Sequence, residues 1–232
     1  MRVRVIQQLI DKLRKKGSLS KKILSSNDIS VPKSIANKIK FNVDGKNNRI
    51  IFKPQKLIGN ISINIFGDNN EVIFEEGFYL SSSLNIIIGQ NHHNFGKVYN
   101  SKFFIGKNTT VESLNYITFN SNTYCNIEEN CMLSYGITLY NTDGHPIFDK
   151  DTRKIINKIK GITIGKHSWI GMNATILKNS FVPPNSIIGC NTVFSGGGKT
   201  HSYCAFAGNP ARIVKENVDW DANGNICGYI NN

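Results

Sequence analysis

The chain has 232 residues, with 28 Lys and Arg against 16 Asp and Glu, 40% hydrophobic residues and five cysteines. An odd cysteine count without a C-x-x-C pair argues against a disulfide framework or a zinc ribbon, and no apolar run approaches the roughly 18 residues that span a bilayer. Much of the +12 net charge sits at one end, where residues 1–24 hold eight Lys and Arg against Asp11 alone; no aromatic stacking platform accompanies it, so a nucleic-acid binder is not indicated.

Taken in order, Ile6, Leu9, Ile10 and Leu13 recur at helical spacing among basic residues, which predicts a short helix over 3–16. It suits the capping of an open core or an oligomer contact, with weak attachment to an anionic membrane surface through residues 1–24 as the sharper alternative. Residues 17–40 are rich in Ser and Lys, contain Pro32, and read as a linker or an irregular lead-in. The first domain boundary is therefore drawn at 40. From Phe41 short β runs begin: Arg49–Phe52, Ile61–Ile65 and Glu71–Phe74, with Asp44-Gly45, Gly67 to Asn70 and Gly77 as turns.

Over 164–198 the sequence reads in sixes. Ile164, Ile170, Ile176, Val182, Ile188 and Phe194 open successive blocks, and the fifth places hold Ser168, Ala174, Ser180, Ser186, Thr192 and Gly198. Such a period fits neither a helix nor simple strand alternation. It fits a triangular coil in which the branched residue points inward and the small residue fills the corner. Hexapeptide repeats of this kind mark a parallel β-helix. Weaker blocks appear at Ile88, Ile105, Val111, Ile117, Ile127, Leu133 and Leu139. The largest interruption, about 140–160, predicts a protruding loop, and loops that leave a regular array are functional candidates. After 198 an extended exit and a tail occupy 199–232, leaving 41–198 as the main domain.

The Ile164-Gly165-Lys166-His167-Ser168-Trp169-Ile170-Gly171 segment and the Ala207-Gly208-Asn209-Pro210-Ala211-Arg212 segment resemble those of the hexapeptide-repeat acetyltransferases. The likeness covers most of residues 60–215. It implies an all-β fold, a left-handed parallel β-helix, assembled as a homotrimer with acetyl-CoA bound between neighbouring subunits. The runs "DGKNNRIIF", "GDNNEVIF", "NTDGHPIFD" and "KENVDW" resemble bacterial capsule and surface-polysaccharide O-acetyltransferases, including those acting on sialic-acid polymers. The implied reaction is O-acetylation of a carbohydrate hydroxyl, and the basic charge favours an anionic acceptor. N-acetylation of a nucleotide-linked amino sugar and a non-catalytic glycan-binding or assembly protein stay open as alternatives.

Acyl transfer from a thioester to a hydroxyl needs a base, and an imidazole with an ordinary pKa near 6.5 suits that task. His145 lies in the loop, within Asp-Gly-His-Pro, which resembles the family's catalytic histidine segment. Asp143 is a candidate for orienting it. Trp169 ends its block facing outward, and the resemblance makes it a wall of the site near the thioester. For the coenzyme the resemblance implies Gly171, Cys190, Asn209, Pro210, Arg212 and Lys215, with Lys199 after the glycine run as a phosphate contact. Tyr140, Asn141, Asn122, His92 and His93 are candidates for the acceptor. In galactoside and maltose acetyltransferases an acidic residue stands near the place of Asn122, so those acceptors are doubtful here. The histidines show no metal-ligand spacing, and no metal is expected. The free cysteines favour a reducing compartment. No cleavage site follows an apolar stretch, so a cytoplasmic protein is expected, at the inner face of the membrane if the basic end attaches there.

Overall fold

The computed structural model describes residues 21–91, 95–196 and 201–222. The helix expected over 3–16 lies outside them. The described chain winds as a parallel β-helix with three sides. The first side stacks Asp28–Ser30, Arg49–Phe52, Glu71–Phe74, Lys102–Ile105, Tyr124–Ile127, Gly161–Ile164 and Phe181–Val182. The second stacks the starts of Tyr79–Ile88 and Thr110–Thr118, then Met132–Leu133, Trp169–Ile170, Ile187–Ile188 and Cys204–Ala207. The third stacks Ile39–Asp44, Asn60–Phe66, the ends of those two long strands, Ile137–Tyr140, Thr175–Leu177 and Val193–Phe194.

The six-residue blocks explain the C-terminal coils directly. Ile170 pairs with Ile188 and Ile176 with Phe194, so one coil takes three blocks. The block-opening residues Ile164 to Phe194 are buried, and so are the corner residues Ser168, Ala174, Ser180, Ser186 and Thr192. The serine hydroxyls are satisfied locally: Ser168 Oγ donates to the Pro183 carbonyl at 3.0 Å, Ser180 Oγ to the Phe194 carbonyl at 3.3 Å and Ser186 Oγ to the Pro184 carbonyl at 3.4 Å, whereas Thr192 Oγ1 has no partner among the described residues. Small residues fit because a larger side chain would push apart backbones already held by the ladder.

The N-terminal coils are longer. Arg49 bonds Glu71 across a separation of 22 residues, and the third-side runs there are six or seven residues long, against three and two in Thr175–Leu177 and Val193–Phe194. The ladder begins at Asp28, where Asp28 pairs with Arg49, ahead of the boundary drawn at 40. Residues 17–40 are thus not all linker: Lys21–Ser26 is helical and Ile39–Asp44 is already a full third-side strand. The 199–217 exit is also not simply extended. Arg212–Glu216 folds back antiparallel on Cys204–Ala207 and ends the second side.

Asparagine turns the corners. Of the fourteen non-glycine residues with positive φ among the described residues, eleven are Asn, from Asn47 to Asn217. A short side chain that bonds locally makes Asn the non-glycine residue most at ease there.

Two loops leave the stack at the same corner, between the third and first sides. One follows Ile88 and returns at Val98, whose N–H bonds the Phe66 carbonyl; the other follows Tyr140 and returns at Gly161. Their shared exit places them side by side.

Candidate functional site

The loop after Tyr140 is a structured hairpin. Phe148 and Ile155 form an antiparallel bridge, and Ile156 N–H donates to the Ile147 carbonyl at 2.9 Å. Asp149 caps its tip by accepting from the Thr152 hydroxyl and N–H, both at 2.7 Å. Those bonds hold the Asp149 carboxyl below its ordinary range. Gly144 takes φ +75°, a conformation costly to residues with a Cβ, and it delivers His145 to the outside of the turn.

Asn157 clasps the base of the hairpin. Its Oδ1 accepts from Ile147 N–H at 2.8 Å, while its Nδ2 donates to Asp143 Oδ2 at 2.7 Å and to the His145 carbonyl at 2.9 Å. The imidazole of His145 is exposed and tilts toward Phe95, with ring centroids 6.1 Å apart. Phe95 in turn stacks on Phe119 at 4.2 Å. The stack exists because the Phe95 loop and the His145 loop leave the same corner, with Phe119 on the coil between. Among the described residues the His145 ring nitrogens carry no hydrogen bond. Below them lies a cleft of about 190 Å³ bordered by Asn120, Asp143, His145, Asn157 and Lys158. The arrangement can accept a proton from a bound hydroxyl and can hold an anion at Lys158.

Asp143 does not orient this imidazole. Its Oδ2 pairs with Lys178 Nζ at 3.2 Å as well as with Asn157, so its carboxylate braces the loop against the next coil. Tyr140 is half-buried and faces outward between Ile117 and Leu177, immediately before the loop.

Two acceptor candidates lie in different surroundings, one buried and one exposed. Asn141 is buried, donating to Tyr116 Oη at 3.4 Å and the Tyr124 carbonyl at 3.2 Å, because the chain is still inside the coil at that point. Asn122 is a corner residue with φ 58°, and its Oδ1 accepts from the corner Asn100 at 3.0 Å. His92 and His93 lie outside the described residues, as does Lys199.

Trp169 stands on the second side, away from the His145 corner. Its indole N–H donates to Ser134 Oγ at 3.3 Å, and Trp220 approaches at 6.1 Å between centroids. His167, in the coil block before Trp169, anchors the tail. Trp220 lies flat on it, 4.6 Å away and 10° from parallel, and Trp220 Nε1 donates to the His167 carbonyl at 2.9 Å. His167 Nε2 sits 3.1 Å from both Asp219 Oδ1 and the Trp220 carbonyl. No sequence pattern marks this pair, which is 53 residues apart.

The coenzyme candidates divide similarly. Gly171 spends its N–H on the Ile188 carbonyl at 2.7 Å, and a Cβ there would meet Ile188 O at 2.7 Å and Cys190 N at 2.8 Å. Close coil packing therefore accounts for Gly171, and its N–H is not offered to a ligand. Cys190 is exposed at a corner. Asn209, Pro210, Arg212 and Lys215 are exposed on the terminal hairpin, where Arg212 Nη1 donates to the Ala211 carbonyl at 2.8 Å. No group of three or more His, Cys, Asp or Glu that could hold a metal ion occurs among the described residues.

A parallel β-helix with a histidine-bearing corner hairpin defines the class of fold. No protein-family model matches the chain. It is similar to a polysialic acid O-acetyltransferase of Escherichia coli O1:K1, 35% identical over 121 residues that make 52% of this chain and 38% of the relative. It is also similar to a polysialic acid O-acetyltransferase of Neisseria meningitidis, 34% identical over 94 residues, 40% of this chain and 43% of the relative. The matches thus span less than half the length of these curated relatives. Among solved structures, the polySia-specific acetyltransferase NeuO superposes with a TM-score of 0.62 at 27% identity, over 82% of this chain and 84% of NeuO. The resemblance to capsule O-acetyltransferases of the sialic-acid type stands on sequence and fold together.

Proposed function

We propose that the chain transfers an acetyl group from acetyl-CoA to a hydroxyl of an anionic bacterial polysaccharide, with polysialic acid the first acceptor to test. The observation that carries this is the exposed His145, its ring nitrogens without a hydrogen bond among the described residues, beside Lys158 in a fold and sequence similar to polysialic acid O-acetyltransferases. In this reading His145 removes the hydroxyl proton as the oxygen attacks the thioester carbonyl. The tetrahedral adduct collapses, coenzyme A leaves as the thiol with that proton, and the ester remains on the sugar. Lys150, Arg153, Lys154, Lys158 and Lys160 are exposed along the hairpin and its return, which favours approach of a polyanion.

The separation of His145 from Trp169 supports a site completed by a second copy, with one chain giving the base and its neighbour the indole wall and the coenzyme groove. A homotrimer is the assembly that this reading adopts, acting at the cytoplasmic side where acetyl-CoA is available. The experiment is thiol release from acetyl-CoA with polysialic acid, neutral polysaccharides and a nucleotide-linked amino sugar as acceptors. Turnover confined to the sialylated polymer supports the proposal. Turnover only with the amino sugar replaces it with N-acetylation, and none with any acceptor removes it. Co-expression of His145→Ala with Trp169→Ala tests the shared site: mixed oligomers regain activity if each site draws on two chains.

A further inference from the structure

Asn120 borders the His145 cleft from the coil, two residues after the strand Thr110–Thr118. Hydroxyls fix its backbone. Its carbonyl accepts from Ser101 Oγ and from Thr123 Oγ1, both at 3.0 Å, and its N–H donates to Thr118 Oγ1 at 3.3 Å. Ser101, Thr118 and Thr123 are all buried, so Asn120 is pre-set before any ligand arrives. A relay through Thr142 also decides which way its carboxamide points. Gly144 N–H donates to Thr142 Oγ1 at 3.0 Å, and the Thr142 hydroxyl donates to Asn120 Oδ1 at 2.8 Å. Thr142 is buried, and Asn120 Oδ1 is the one acceptor its hydrogen meets among the described residues. The carboxamide oxygen therefore faces Thr142, and Nδ2, with its two hydrogens, is left without a partner among the described residues. The relay ends on Gly144, next to His145, so this donor and the imidazole are held in register with each other.

Besides His145, the ionisable residues that border the cleft are Asp143 and Lys158. Asp143 is already engaged, by Lys178 Nζ at 3.2 Å and Asn157 Nδ2 at 2.7 Å. Lys158 is exposed, and no carboxylate pairs with its ammonium among the described residues. Its backbone is nonetheless held. Asn179 Nδ2 donates to the Lys158 carbonyl at 2.8 Å, and Asn179 Oδ1 accepts from Lys160 N–H at 2.7 Å. With Asp143 balanced by Lys178, the charge left in the cleft is positive. An amide donor from the coil and an ammonium from the hairpin's return complement a carboxylate, which accepts through two oxygens. The volume of about 190 Å³ is small beside the roughly 300–1,000 Å³ of pockets that enclose whole ligands. It admits one edge of a sugar unit.

We infer that Asn120 Nδ2 and Lys158 Nζ together bind the carboxylate of the acceptor unit whose hydroxyl faces His145, which makes Asn120 a specificity-determining residue. This rests on the acetyltransferase reading above, and the test separates the two. Asn120→Asp is the sharpest variant: its side chain still accepts from Thr142, but a negative charge replaces the amide donor. Binding of a sialic acid tetramer and of its carboxyl-reduced counterpart is followed by NMR, and acetyl transfer to each is measured. Wild type is compared with Asn120→Asp, Asn120→Ala and Lys158→Gln, each checked for an unchanged melting temperature. The expected result is that wild type binds the carboxylated tetramer at least about ten-fold more tightly than the reduced one. Asn120→Ala and Lys158→Gln each weaken carboxylated binding by about ten-fold, and Asn120→Asp by more. Binding of the reduced tetramer is the same in all four proteins. In turnover the loss falls on KM for the carboxylated acceptor, with kcat retained. Discrimination between the tetramers without transfer to either keeps the carboxylate site and removes the enzyme reading. Transfer with equal binding of the two tetramers, or variants that lower kcat for both alike, overturns the carboxylate site alone. Binding of neither tetramer overturns it as well.

Discussion

The side-chain amide of Asn157 donates to Asp143 Oδ2 at 2.7 Å and to the His145 carbonyl at 2.9 Å, so one residue ties together the chain on both sides of Gly144. Its third bond, from Ile147 N–H, fixes the outgoing strand of the same hairpin. Both polar atoms of this carboxamide act on the turn that carries the imidazole, through two backbone groups and the Asp143 carboxylate.

Asn157→Ala is therefore expected to lower kcat by about ten-fold with little change in melting temperature. A hydrogen bond of this kind contributes about 1 kcal/mol, and the hairpin lies outside the core. Steady-state kinetics beside thermal unfolding checks this. Unchanged kcat would mean that the hairpin is held by Phe95 and the Phe148–Ile155 bridge alone.

Trp220 is expected to keep the C-terminal segment on the second side. The chain has two tryptophans, so Trp220→Ala leaves Trp169 as the only indole emitter. Its emission should shift to the red as water reaches it, and proteolysis near residues 217–221 should accelerate about ten-fold, as for loss of a stacked ring and one hydrogen bond. Fluorescence and cleavage rates matching wild type would show that the tail does not depend on the His167 stack.

Corner asparagines predict an unusual order of stability. At Asn185, with φ 58°, Ala should cost about 1 kcal/mol and Gly close to nothing, the reverse of the usual preference for Ala. Denaturant midpoints of Asn185→Ala and Asn185→Gly decide it; equal losses would mean that the side chain rather than the backbone angle matters there.

Alkaline pH should destabilise the fold. Burial pushes the Cys125 thiol and the Tyr116 phenol up, and pushes the Cys131 thiol from 9.0 to about 12. The unfolded chain releases these protons at ordinary values while the folded chain retains them. Stability is thus fully present below about pH 9 and falls as pH rises from there toward the folded values. The slope is roughly 1.4 kcal/mol per pH unit for each such group. Urea unfolding between pH 7.5 and 10.5 measures it, and a flat profile would contradict the buried, protonated state of these groups.

The C-terminal coils were legible because a six-residue period acts on two positions at once, the inward branched residue and the corner Ser, Ala or Thr. The N-terminal coils were read less well. Their third side is longer, so the blocks lose register, and the start at Asp28 was hidden in a Ser- and Lys-rich stretch. His145 stood out by its place in the longest interruption. Asn157 and the His167–Trp220 pair did not, since their roles come from where a hairpin and a tail fold back. Asn141, adjacent to the loop in sequence, looked like a site residue and is core, because the coil ends one residue later than the apolar pattern suggests.

The most direct measurement is thiol release from acetyl-CoA with polysialic acid, wild type beside His145→Ala. The account predicts acceptor-dependent turnover in wild type and a loss of at least about a hundred-fold in the variant, the scale of general-base catalysis, with oligomeric state and melting temperature retained. Turnover that survives in His145→Ala would contradict it and move the base elsewhere on the molecule.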